Sequence, residues 1–198
     1  GAGAEHERKY GTQTSTFAKI SEEARRHAAN SPCAFFRDPL SLHAILQSPR
    51  LYGPLTRYQC CPPTRGAAAA VIVSRDFARK KGLDGLVEIA AQSMTTDYAS
   101  TFAEPTSMMR VVGYDMARQA AHQAYEAAGI GPEDIQVVEM HDCFTANELI
   151  TYEALGLCRE GEAERFILDG DNTYGGKYVT NPSGGLLSKG HPLGATGL

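Results

Sequence analysis

Several broad classes of protein are set aside by what this sequence does not contain. It has no C-x-x-C pair, so a structural zinc site is not expected. Its five cysteines (Cys33, Cys60, Cys61, Cys143 and Cys158) are odd in number and irregularly spaced, a poor disulfide framework. They read as free thiols in a reducing compartment. No apolar run approaches the length needed to span a bilayer. Residues 1–10 are small and then charged, so no secretory signal is expected there. Gly1-Ala2-Gly3-Ala4 reads as a linker, and the final Gly-Leu pair is neither a peroxisomal nor a retention signal. Positive charge is not in excess: 19 Lys and Arg face 23 Asp and Glu, a net charge of −4, and the isoelectric point is near 5.9. A general binder of nucleic-acid backbones needs the opposite balance. A local basic patch for a small anionic ligand is still compatible with it. No short repeat is present.

What is present is a chain of 198 residues, 42% of them hydrophobic, enough to bury a real core. Residues 5–30 are helix-prone, with Phe17, Ile20 and Ala24 at helical spacing, and Asn30-Ser31-Pro32 breaks the pattern. A short helix is predicted over 40–46, with Asp38 as N-cap and Pro39 at the first helical position. The apolar run 67–73 reads as a fully buried strand, 76–81 as a short helix stopped by Gly82, and 86–91 as another strand. Gly82-Leu83-Asp84-Gly85 is the candidate domain boundary. A long helix is predicted over 112–128, its covered face formed by Ala117, Ala120, Ala121, Ala124, Tyr125 and Ala128, with Gly129 as its left-handed cap. A strand over 135–140 and a helix over 145–155 follow, and the last forty or so residues are glycine-rich and loop-like. Alternating strands and helices give an α/β fold class.

Two constellations carry candidate chemistry. The first, His141-Asp142-Cys143-Phe144, lies directly after a predicted strand and before a helix. Loops leaving the C-terminal ends of strands are where α/β sheets bind ligands. Thr145 and Glu148 have the spacing of a capping box. A helix N-terminus and a histidine lower a thiol's pKa, which would make Cys143 usable as an acid/base. The competing reading makes Cys143 a small buried hydrophobe and His141 a structural residue. The second constellation runs from Asn181 to Gly197. It fails the phosphate-loop pattern, because His191 stands where Lys is required, and it fails G-x-G-x-x-G. His191 is fenced between Gly190 and Pro192, which suits a histidine held in one orientation, although a loop histidine bonded to backbone fits the same residues.

With these residues on the page, the sequence resembles the thiolase superfamily. Asn181-Pro182-Ser183-Gly184-Gly185 followed by Gly190-His191-Pro192-Leu193-Gly194-Ala195-Thr196-Gly197 is similar to the thiolase histidine signature. His141-Asp142-Cys143-Phe144 resembles the variant found in thiolases of the sterol carrier protein X type, where most others have Asn-Glu-x-Phe. The likeness extends through Gln59-Cys60-Cys61-Pro62 and residues 66–70, 151–158 and 170–177, covering nearly everything from about Tyr10 onward.

The resemblance implies a layered fold of two similar α/β halves. This chain would hold an incomplete portion: a covering region at 1–65, the last strand and helix of the N-terminal half at 66–82, and a truncated C-terminal half at 83–198. It implies acyl-CoA chemistry, with coenzyme A as co-substrate and no bound cofactor or metal. His191 is then the base that activates a nucleophilic cysteine, His141 an oxyanion-hole donor, and Cys143 the acid/base at the substrate α-carbon. Cys61, Asn181 and Gly190 fall to substrate and CoA binding. Lys19, Arg25 and Arg26 are candidates for the CoA phosphates, with a solvated helix face as the equal alternative. The implied partners are acyl-CoA, coenzyme A and a second copy or a complementing thiolase half, with no nucleic acid and no membrane span. The implied compartment is the peroxisome in a eukaryote and the cytoplasm in a bacterium.

Two departures bound this expectation. No cysteine of the chain sits in the family's nucleophile motif, which belongs to the N-terminal half, and the chain stops at Leu198, where a further helix is expected. Three functions follow: thiolysis of a 3-oxoacyl-CoA with a branched or steroid-derived acyl group, retro-aldol cleavage of a 3-hydroxyacyl-CoA, and acyl-CoA or subunit binding without catalysis.

Overall fold

The computed structural model describes residues 1–103 and 105–197; Leu198, which closes the expected C-terminal half, lies outside them. The chain opens with α1 (Ala2–Tyr10) and α2 (Thr14–Ala28). Gly11, at φ 78°, ends α1 in the left-handed conformation, so the helix-prone stretch is two helices. The first four residues are not a linker. Gly3 is buried within α1 against α7 (Thr145–Ala154), where an added Cβ would stand 3.0 Å from that of Ala146.

The hub of the core is α2. Phe17, Ile20 and Ala24 are all buried, as their spacing predicts. They share one apolar cluster with Leu149, Ile150 and Tyr152 of α7 and with Phe166 of α8 (Ala163–Leu168). Each large side chain buried there contributes about 1.5–3 kcal/mol. That burial docks the N-terminal helices onto the elements that carry the site.

Several boundaries differ from the sequence expectation. The short helix α3 (Leu42–Gln47) is capped by Ser41, whose hydroxyl accepts from the Ala44 amide at 3.2 Å, rather than by Asp38 and Pro39. Glu22 of α2 accepts from the Leu42 amide at 2.8 Å, so a neighbouring helix sets the start. A small antiparallel hairpin, β1 (Arg50–Tyr52) and β2 (Leu55–Thr56), follows. Residues 67–73 and 86–91 form no strand and are exposed, with Val71 94% and Val87 96% accessible. Branched residues favour a strand only where a neighbouring strand supplies hydrogen bonds and cover, and the described residues place no strand beside them. Between them, α4 (Arg75–Lys80) forms close to its predicted place, with Ser74 as cap and Gly82 as stop at φ 62°.

The predicted helix 112–128 is broken near its start. A short α5 (Met108–Val111) is followed by Gly113 at φ 100° and then α6 (Tyr114–Ala128). Its predicted face is the covered one, and Gly129 caps it at φ 71°. The strand expected over 135–140 is reduced to β3 (Val137–Val138), which pairs in parallel with β4 (Val179–Thr180). One short partner limits the ladder to two residues. The last forty residues are less loop-like than expected, since they contain α8, β4 and α9 (Gly185–Ser188). Parallel strands joined through α7 and α8 make this an α/β unit. Among the described residues no helix is long and apolar enough to cross a membrane.

Candidate active site

Two loops leave the C-terminal ends of the parallel strands β3 and β4, so the pairing of Val138 with Thr180 puts them side by side. The first carries Glu139 to Phe144 and the second Asn181 to His191. Their histidines meet: the rings of His141 and His191 lie 4.9 Å apart and nearly perpendicular, at 83°. His141 and Cys143 line a cavity of about 420 Å³, walled by Tyr114 and Ala117 of α6 and by Asn147 and Ile150 of α7. His191 stands against His141 rather than on the cavity wall.

Polar ties hold the loops in this arrangement. Asn181 is buried at φ 44°, a left-handed backbone rare outside glycine, and its Oδ1 accepts from the Met140 amide at 2.8 Å. The Asp142 carboxylate accepts from the Leu186 and Leu187 amides at 2.6 and 3.4 Å. Glu139 accepts from both the amide and the hydroxyl of Ser183, at 2.8 and 2.9 Å. Asn147 donates to the His141 carbonyl. A third segment joins in: Thr64 Oγ1 accepts from the His191 amide at 2.6 Å, and the Cys61 amide donates to the Cys143 carbonyl at 2.9 Å. Gly190 adopts φ 116°, and a Cβ there would sit 2.9 Å from Thr64 Oγ1. Thus Cys61 meets Cys143 through its backbone, Asn181 ties the two loops through its side chain, and Gly190 makes room for Thr64 next to His191.

The protonation states follow from burial. Burial pushes the Cys143 thiol up to about 11, and the acidic neighbours Cys61 and Asp142 add to it. This overturns the expectation of a lowered thiol. The two acids and the loss of solvent outweigh whatever positive potential the helix start supplies. Partial burial and then His191 hold His141 below the ordinary histidine value, so it is neutral at neutral pH. The His191 Nδ1 is buried without a hydrogen-bond partner among the described residues.

The expected capping box is also absent. Phe144 is the residue before α7, and no side chain caps it. Thr145 is buried and donates to Gln59 at 3.1 Å. Glu148 is buried too and accepts from the Tyr152 hydroxyl at 2.5 Å. Burial, then Asp142, raise its carboxyl well above the usual range. Arg25 is likewise buried, its guanidinium 4.2 Å from the Phe36 ring, while Arg26 lies 3.7 Å from Glu23. Lys19 is half-buried on α2. Sequence reasoning missed Thr64, Glu139 and Asn147 as supports of the site. Gly190, whose missing side chain leaves room for Thr64, was a pointer to Thr64 alone.

Comparison with known proteins gives the chain a family. Residues 99–198 match the family described as thiolase C-terminal domain-like, and the chain belongs to that family. Among curated relatives it is 54% identical to Sterol carrier protein 2 of Rattus norvegicus, over the whole of this chain and 36% of that protein. It is 41% identical to Benzoylsuccinyl-CoA thiolase subunit BbsB of Thauera aromatica, over 94% of this chain and 47% of that one. A solved structure, the Ltp2-ChsH2(DUF35) aldolase, superposes with a TM-score of 0.79 at 26% identity, over 99% of this chain and 51% of that one. The chain therefore spans little more than a third of the length of the sterol carrier proteins it matches. Its fold is an incomplete portion of a thiolase-like α/β architecture.

Proposed function

We propose that the whole protein carrying this chain is a 3-oxoacyl-CoA thiolase acting on branched or steroid-derived acyl groups. The observation that carries the reading is the meeting of His141 and His191 beside Cys143, on loops brought together by β3 and β4. In this reading a cysteine thiolate from outside the chain attacks the 3-oxo carbon. The bond between carbons 2 and 3 breaks, and its electron pair becomes the enolate of a shortened thioester. His141, neutral and able to donate, stabilises the enolate oxygen. The protonated Cys143 thiol gives its proton to carbon 2, which completes acetyl- or propanoyl-CoA. His191 takes the proton of the nucleophile at the start and returns it when that sulfur leaves the acyl-enzyme, while the Cys143 thiolate left after carbon 2 is protonated takes the proton of coenzyme A as its thiol attacks. The nucleophile is assigned to a complementing thiolase half, in the same polypeptide or a partner chain. None of Cys33, Cys60 or Cys61 is placed to serve, since Cys33 is exposed and burial raises the other two thiols.

The aldolase likeness supports a second reading, retro-aldol cleavage of a 3-hydroxyacyl-CoA, which needs no nucleophilic cysteine. Product formation with and without free coenzyme A separates the two. Thiolysis predicts cleavage of a 3-oxoacyl-CoA only when coenzyme A is present. Cleavage of a 3-hydroxyacyl-CoA without coenzyme A would overturn the thiolase reading.

A further inference from the structure

We propose that Asp142 is a positioning residue that sets the His191 loop against His141; its kinetic consequence rests on the thiolase reading, its structural one does not. Asp142 lies between His141 and Cys143 in the chain, yet its side chain turns away from the cavity they line. The carboxylate is fully buried and reaches into the other loop. It accepts from the amides of Leu186 and Leu187, in the first turn of α9. Bonds from backbone amides to a carboxylate are among the stronger hydrogen bonds in a protein.

Gly185 completes the fit. It adopts φ 60°, and a Cβ on it would stand 2.6 Å from Asp142 Cγ. The glycine is thus the socket into which the carboxylate seats. From that socket the path to the histidine is short. Behind α9, the Phe36 and Phe35 amides donate to the Ser188 and Lys189 carbonyls, at 2.9 and 3.1 Å. These bonds make α9 and the start of the His191 segment move as one piece. Gly190 then turns the chain, and Thr64 receives the His191 amide. Asn181 and Glu139 also tie the two loops, but Asp142 is the side chain seated in α9, next to the turn that carries His191, and in this proposal the separation of the two imidazoles depends on it.

Two substitutions in the whole protein test this by different physical routes. Asp142→Asn leaves one acceptor for Leu186 but points N–H groups at Leu187. Gly185→Ala keeps the charge and drives a methyl group into the carboxylate. The readout is the titration of His141 followed by NMR in histidine-labelled protein, which needs no substrate. Burial and then His191 hold the His141 pKa down; if the imidazoles part, the second of these weakens and both variants raise it. Turnover in thiolysis then falls about tenfold or more, with KM changed less than about twofold. Burial pushes the Asp142 carboxyl itself up to about 7, so its charge is present only above that pH; loss of that charge alone gives the opposite pattern, a lower His141 pKa in Asp142→Asn and no change in Gly185→Ala, and that result, or no change in either variant, overturns the proposal. Should Gly185→Ala fail to fold, Asp142→Asn decides by the sign of its shift. A displaced titration in a protein without thiolase activity would sink the functional reading alone. An active protein whose titration and turnover ignore both substitutions would sink the role of Asp142 alone.

Discussion

Cys143 sits half-buried beside Cys61 and the buried Asp142, and this environment pushes its thiol up to about 11. Thiolates are the reactive form, so Cys143 should resist alkylation at neutral pH. Its rate of reaction with iodoacetamide, followed by mass spectrometry, should climb as pH rises from about 7 toward about 11. Rapid labelling near neutrality would contradict the assigned proton-donor role. The chemistry-bearing residues were legible in the sequence because histidine and cysteine stand out among glycines. Their protonation was not legible. The sequence shows that Cys143 precedes a helix, but only the fold shows that Cys61 and Asp142 close around it.

Helices were readable where their apolar period met a real partner, as Phe17, Ile20 and Ala24 of α2 show. Strands were not, because 67–73 has strand-like composition but nothing beside it to pair with. The start of α7 misled for a related reason. Thr145 and Glu148 have capping-box spacing, yet packing draws both inward, to Gln59 and Tyr152. The raised pKa of Glu148 has a consequence for stability. A carboxyl whose folded pKa exceeds its unfolded value contributes stability that is full below the unfolded pKa and lost as pH rises through the folded one. Glutamine has no such loss. Glu148→Gln should therefore gain on the wild type as pH rises from about 5 to about 8, measured as the difference in melting temperature at each pH. A difference that stays constant or moves the other way would show that Glu148 is not buried as an acid.

At the scale of the molecule, the proposed thiolysis calls for a nucleophile beyond the two loops. The described residues bring together two histidines and a thiol held protonated, while the chain spans little more than a third of its sterol carrier relatives. Residues 66–98 carry exposed Val71, Ile72, Val87 and Ile89, a surface that the rest of the protein is expected to cover. Trypsin should cut the isolated 198-residue chain first within α4, which holds Arg75, Arg79 and Lys80. The whole protein should be protected there, and equal cutting in both would argue against cover. The two glycine-framed loops were legible in the sequence as the carriers of the candidate site. The exposure of residues 66–98 was not, because apolar composition does not name its partner.

The central claim is that Cys143 moves a proton at the substrate α-carbon, with His141 and His191 beside it. The most direct measurement is the rate at which the whole protein releases acetyl- or propanoyl-CoA from a 3-oxoacyl-CoA and coenzyme A, followed by NMR. That rate should fall about 100-fold or more in Cys143→Ala. An undiminished rate in Cys143→Ala would contradict the role.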